Sequence, residues 1–139
     1  MIESKFKFEK IIVWQSTMDF GEAINNITKL FPKNEVYNLS SQIRRAVDSI
    51  ALNISEGSIG QTNPEFKKFV GYAIRSLSEV VTCLHKANRR YYISSERFDE
   101  LYIEAFNSMN MLVAFKKKHQ IIIKSYRLRT TDFGLQNKI

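Results

Sequence analysis

Two prolines and five glycines are all the helix-breaking residues in 139 positions. Between these breaks, apolar side chains recur every three to four residues, which lines them up on one helical face. Four such segments are legible. The first spans about Lys10 to Phe31, with Val13, Thr17, Phe20, Ile24, Ile27 and Phe31 as its stripe. Pro32 ends it, because proline disfavours helical geometry in the residue before it. The second spans about Ser40 to Glu56, with Leu39, Ile43, Val47, Ile50 and Ile54 on one face. Ser40 or Ser41 is the expected N-cap, and Gly57 is expected to close the end in the left-handed conformation. The third has Asn63 as expected N-cap, Pro64 at the first helical position and Glu65 near the positive end of the dipole. Its stripe is Phe66, Phe69/Val70, Ala73, Leu77, Val80, Leu84, Ala87 and Tyr91. Ser94 or Ser95 caps the fourth, whose stripe is Phe98, Leu101/Tyr102, Ala105, Met109, Leu112 and Phe115. Lys116, Lys117 and Lys118 suit its negative end.

Helices of about 17 to 28 residues with short connections predict an all-α, antiparallel up-down four-helix bundle. The bundle is expected over residues 10–123, between an N-terminal extension at 1–9 and a basic C-terminal tail at 124–139. Ile121, Ile122 and Ile123 fit either a continued helix or an extended segment. There is no internal repeat.

The chemistry that the chain can carry is narrow. Cys83 is the single cysteine, so no intramolecular disulfide forms, and with His85 and His119 it makes no recognisable zinc set. A reducing cytoplasm is the expected setting. Glu-x-x-His pairs of carboxylate-bridged metal bundles are missing, as are a phosphate-cradling glycine loop and a nucleophile elbow. Glu56 beside Gly57 reads as structural, as does Cys83, a small packing residue. No cofactor and no enzymatic activity are expected. No apolar run reaches the roughly 20 residues of a membrane span, and the first residues carry alternating charge without an apolar signal region.

Charge is the first functional clue. Twenty-one basic and fourteen acidic side chains give +7 and a pI near 9.6. Residues 62–92 hold six basic and two acidic groups, +4, and residues 124–139 add +3, while every other segment balances. At about 100° per residue, Lys68, Arg75 and Lys86 fall on one line opposite the third helix's apolar face, flanked by Arg89 and Arg90. Glu79 interrupts the line. Such a row neutralises phosphates without reading bases. The plainer alternative is a solvated surface with Arg75 and Glu79 as an i,i+4 pair. Arg45 points from the polar side of the second helix, and Arg44 is placed to pair with Asp48. Asn53 is expected to hydrogen-bond between helices.

A second clue is apolar. Ile11, Trp14 and Met18 repeat on the side of the first helix away from its stripe, and Leu52 projects from the polar side of the second. An outer apolar patch usually meets a partner, and Trp14 is the natural anchor. The alternative is that the N-terminal segment or the tail folds back over it.

Several blocks then stand in a recognisable order: Trp14-Gln15, Phe31-Pro32-Lys33, Gln42-Ile43-Arg44-Arg45-Ala46, Asn53-Ile54-Ser55-Glu56-Gly57, Glu65-Phe66-Lys67-Lys68-Phe69 and Ser76-Leu77-Ser78-Glu79. Over residues 10–120 the chain resembles the bacterial four-helix bundle family of the 23S ribosomal RNA intervening sequence. The resemblance extends to accessory proteins of diversity-generating retroelements. It implies a ring-shaped homo-oligomer, a pentamer, that binds nucleic acid and a reverse transcriptase. The chain departs from the family at Ser58-Ile59-Gly60-Gln61, where relatives often carry a basic residue. The resulting expectation is a non-enzymatic oligomeric scaffold binding RNA or DNA without strong sequence specificity. Lys68, Arg75, Lys86, Arg89 and Arg90 would contact phosphates, with Arg45, Lys124, Arg127 and Arg129 as accessories. Ile11, Trp14, Met18 and Leu52 would form the oligomer interface. The alternative is a protein-interaction module docking a partner such as a reverse transcriptase, with no direct nucleic-acid role.

Overall fold

The computed structural model describes residues 2–60 and 62–128, with side chains described for 2–60 and 62–118. Among these the protein has four α-helices and no strand: α1 (Ile12–Thr28), α2 (Leu39–Ser58), α3 (Asn63–Arg89) and α4 (Ser95–Leu128), with 3-10 turns at Lys7–Lys10 and Lys33–Glu35. α1 packs on α2, α2 on α3, α3 on α4, and α4 meets α1. The predicted stripes supply the core: Phe20, Ile24, Ile43, Ile50, Ile54, Phe66, Leu77, Leu84, Leu101 and Leu112 are all buried.

Several helix ends differ from expectation. α2 begins at Leu39 after Asn38, with no side-chain cap from Ser40 or Ser41. Thr62, not Asn63, caps α3: its Oγ1 accepts from the Glu65 backbone N–H at 3.2 Å. Pro64 then sits one position further in. Ser94 caps α4 as expected, accepting from the Arg97 N–H at 3.1 Å. Helical backbone continues through Ile121, Ile122 and Ile123 to Leu128, so the 116–118 lysines lie well inside α4 rather than in its last turn.

Gly57 is not a left-handed closure; it is a buried residue within α2. A Cβ there would stand 2.7 Å from both Phe66 Cδ1 and Phe69 Cβ. The glycine is required by packing, because it lets α3 approach the end of α2. The left-handed residue is Tyr91, with φ 60°. The Tyr91 N–H donates to Asn88 O at 3.1 Å and the Tyr92 N–H to Ala87 O at 3.0 Å. This paired closure satisfies the last carbonyls of α3 without a glycine. Tyr91 consequently leaves the apolar stripe and is 92% exposed.

Between α2 and α3 a polar relay crosses the interface. Asn53 Nδ2 donates to Ser49 O and Oγ at 2.8 and 2.9 Å, and Ser49 Oγ shares a hydrogen bond of 2.9 Å with Ser76 Oγ. Asn53 thus reaches α3 through a serine of its own helix.

Candidate nucleic-acid interface

The outward face of α3 is set by its inward one. With Phe66, Val70, Ala73, Leu77, Val80 and Leu84 buried, the residues half a turn away must face solvent. Lys68, Arg75, Lys86 and Arg89 are all exposed. At 1.5 Å rise per residue this row extends about 30 Å. Lys68 Nζ lies 5.8 Å from the centroid of the Tyr72 ring one turn on, which restrains an otherwise free cation.

Ion pairs among the described residues join Arg90 to Glu35 and Arg97 to Glu100. The expected Arg75–Glu79 and Arg44–Asp48 pairs are not formed. An exposed pair gains only about 0–1 kcal/mol, so a favourable spacing does not by itself require the two side chains to meet. Arg75 therefore remains available on the outward row.

Arg90 has a different duty. Its Nη1 donates to Glu35 Oε2 at 2.8 Å, and Tyr92 Oη donates to the same oxygen at 2.6 Å. Asn38 Nδ2 donates to Glu35 Oε1 at 2.8 Å. The Glu35 side chain is 7% exposed. The Tyr92 hydroxyl foremost, then Asn38, the Leu39 backbone and Arg90, hold its carboxyl below the usual carboxylate range against the opposing effect of burial. The same hydrogen bond holds the Tyr92 phenol above its ordinary value. Sequence reasoning missed this group: its partners lie 55 and 57 residues away, where no local period connects them.

Lys116 was likewise missed. Its Nζ lies 3.2 Å from where a Cβ at Gly71 would be, so this amine lies over the glycine gap on the α3 surface. It adds a cation from α4 between the turns that carry Lys68 and Arg75. The signal in the sequence was a glycine within a basic helix, but the distant lysine that uses it was not legible.

Arg45 is exposed on α2. The side chains of Lys124 and Arg127, and the whole of Arg129, lie outside the described residues.

The apolar patch is partly rearranged. Trp14, Met18 and Leu52 line one groove of about 470 Å³ between α1 and α2, together with Phe8, Val47 and Ala51. Leu52 is 56% exposed. Ile11 does not join them. It is 7% exposed and part of the core. As N-cap it has extended backbone (φ −76°, ψ 119°), so the helical angle that placed it outside does not apply. Phe8 covers Trp14 edge-on, with ring centroids 5.2 Å apart. The N-terminal segment thus shields part of the patch and leaves the groove open.

Cys83 is buried, and burial pushes its thiol up. Among the described residues no group of His, Cys, Asp and Glu is placed to hold a metal, and no helix is long and apolar enough to cross a membrane.

A family model described as 23S rRNA-intervening sequence protein matches residues 9–114. The fold is similar to a crystal structure from Bacteroides thetaiotaomicron VPI-5482, described as a protein with unknown function from the S23 ribosomal protein family. The TM-score is 0.70 at 25% identity, covering 76% of this chain and 99% of that one. No curated protein matches the chain.

Proposed function

The chain belongs to the family of 23S rRNA-intervening sequence proteins, and on that premise we propose that it is a non-enzymatic scaffold binding RNA or DNA through the outward face of α3. The observation that carries this reading is the exposed row Lys68, Arg75, Lys86 and Arg89, joined by Lys116 at Gly71. Cations in a row attract phosphates, release counterions and carry no base readout, so sequence specificity is weak. Arg45 and the basic residues Lys124, Arg127 and Arg129 extend the surface. Arg90 is engaged by Glu35 and contributes to the fold first.

In an up-down antiparallel bundle assembled as a ring, a pentamer as the resemblance implies, the row would be repeated around the assembly. Several weak rows on one nucleic acid bind with avidity. The groove at Trp14, Met18 and Leu52 is the surface suited to that assembly. The same groove also favours a second reading: a protein-interaction module that docks a partner such as a reverse transcriptase.

Fluorescence anisotropy with labelled structured RNA and duplex DNA at two salt concentrations separates the readings. We expect affinity to fall steeply with salt. Changing Lys68, Arg75 and Lys86 together to Glu should reduce binding strongly while leaving the helical spectrum intact, and each lost contact flattens the log–log salt slope by about 1. Binding that is unchanged in this variant would remove α3 from the site. No binding at low salt would leave the protein-docking reading.

A further inference from the structure

The end of α3 carries rings as well as cations. His85 packs edge-on against Phe98 and Tyr102 of α4, with centroids 5.1 and 6.0 Å apart, and Phe98 lies 5.8 Å from Tyr102. The cluster stays at the surface: His85 is exposed and Tyr102 is 43% exposed. One turn after His85 comes Arg89, which with Tyr91 lines a hollow of about 600 Å³ at the α3–α4 turn. Tyr91 is held out into solvent by its left-handed backbone, a conformation that costs a non-glycine residue about 1–2 kcal/mol. Lys86 is exposed beside His85. Exposed rings and the cations Lys86 and Arg89 therefore share this end of the molecule, with the exposed carboxylates of Glu96, Asp99 and Glu100 in the first turns of α4.

We propose that this surface is a stacking platform for unpaired bases, so that the preferred ligand is single-stranded nucleic acid. The inference rests on the nucleic-acid reading above and names its substrate class. Tyr102, supported by His85 and Phe98, and Tyr91, beside Arg89 in the hollow at the α3–α4 turn, would offer ring faces to bases, while Lys86 and Arg89 would meet phosphates. Aromatic faces add nothing to a duplex, whose bases are already stacked. They stabilise a single strand whatever its sequence, because every base has a π-face. Asp99, exposed three residues before Tyr102, opposes the phosphates and limits affinity.

The test uses the full chain, with labelled probes of about 16 nucleotides: single-stranded RNA, single-stranded DNA of the same sequence, and the RNA duplex. Single strands of both kinds should bind roughly tenfold tighter than the duplex. Tyr102→Leu and Tyr91→Asn should each lower single-strand affinity about 5- to 10-fold, leaving duplex binding and the salt slope unchanged. Asparagine tolerates the left-handed backbone at 91, and circular dichroism checks that both variants fold. Asp99→Asn should tighten single-strand binding. Equal affinity for duplex and single strands, or ring variants that bind like the parent, would overturn the platform and leave phosphate binding by α3 intact. Binding of single-stranded RNA but not DNA would also overturn it, in favour of 2′-hydroxyl recognition. No binding to any probe at low salt removes both readings together.

Discussion

Glu35 keeps its charge inside the protein because donors reach it from three sides. Tyr92, Asn38, the Leu39 backbone and Arg90 together outweigh the cost of burial. A carboxyl whose folded pKa lies below its unfolded value contributes stability in full above about pH 4.3. That contribution is lost as pH falls through the folded value, because the unfolded chain takes up the proton first. Urea midpoints measured from pH 6 down to pH 3 should therefore fall steeply for the parent and less for Glu35→Gln. Equal slopes would remove Glu35 from the acid sensitivity. Tyr91 makes the opposite case, a residue that stability alone would replace. Tyr91→Gly should raise stability by up to about 1 kcal/mol, relief of the left-handed strain being partly offset by a freer unfolded chain. A lower midpoint in thermal melts would show that Tyr91 makes contacts beyond its own turn. Ser108 is buried with no hydrogen-bond partner for its hydroxyl. Ser108→Ala should accordingly be neutral or stabilising by about 1 kcal/mol.

Two glycines show how differently helices use the same residue. At Gly57 a Cβ would overlap two phenylalanines of α3 at 2.7 Å. Gly57→Ala should cost about 1–3 kcal/mol in chemical denaturation, since α2 and α3 must separate or repack. At Gly21, within α1, a Cβ would meet nothing within 4 Å. Gly21→Ala should stabilise the isolated chain by roughly 1 kcal/mol through helix propensity. Gly21 also lines the groove with Trp14, Met18 and Leu52. If that groove receives another subunit, the same alanine should weaken assembly while strengthening the fold.

At the scale of the whole molecule, the outward row of α3 and the groove at Trp14, Met18 and Leu52 lie on different elements, the row on α3 and the groove between α1 and α2. The proposed self-association and the proposed polyanion binding can therefore be tested by separate mutations. Leu52→Asp places a charge in the groove and should reduce the mass seen by light scattering, with little change in helical content. A monomer that still binds RNA, but with a flatter salt slope and lower affinity, would show that assembly multiplies the α3 row. An unchanged mass would remove the groove from the proposed assembly.

The four helices and nearly all of the core were legible in the residues, because a 3.6-residue period and the spacing of breakers are local properties. The outward row of α3 followed from the same period, since burying one face exposes the other. What the sequence did not reveal depends on the exact start of a helix or on contacts between distant segments. Ile11 turned inward because the chain is still extended there, and Gly57 proved to be a packing gap rather than a helix stop. Lys116 reached across to Gly71, and Arg90 was claimed by Glu35. Gly57 and Lys116 are decided by which helix faces which, Arg90 by where the turn carrying Glu35 is brought, and Ile11 by the exact residue at which α1 begins; all are fixed only when the four apolar faces are buried together.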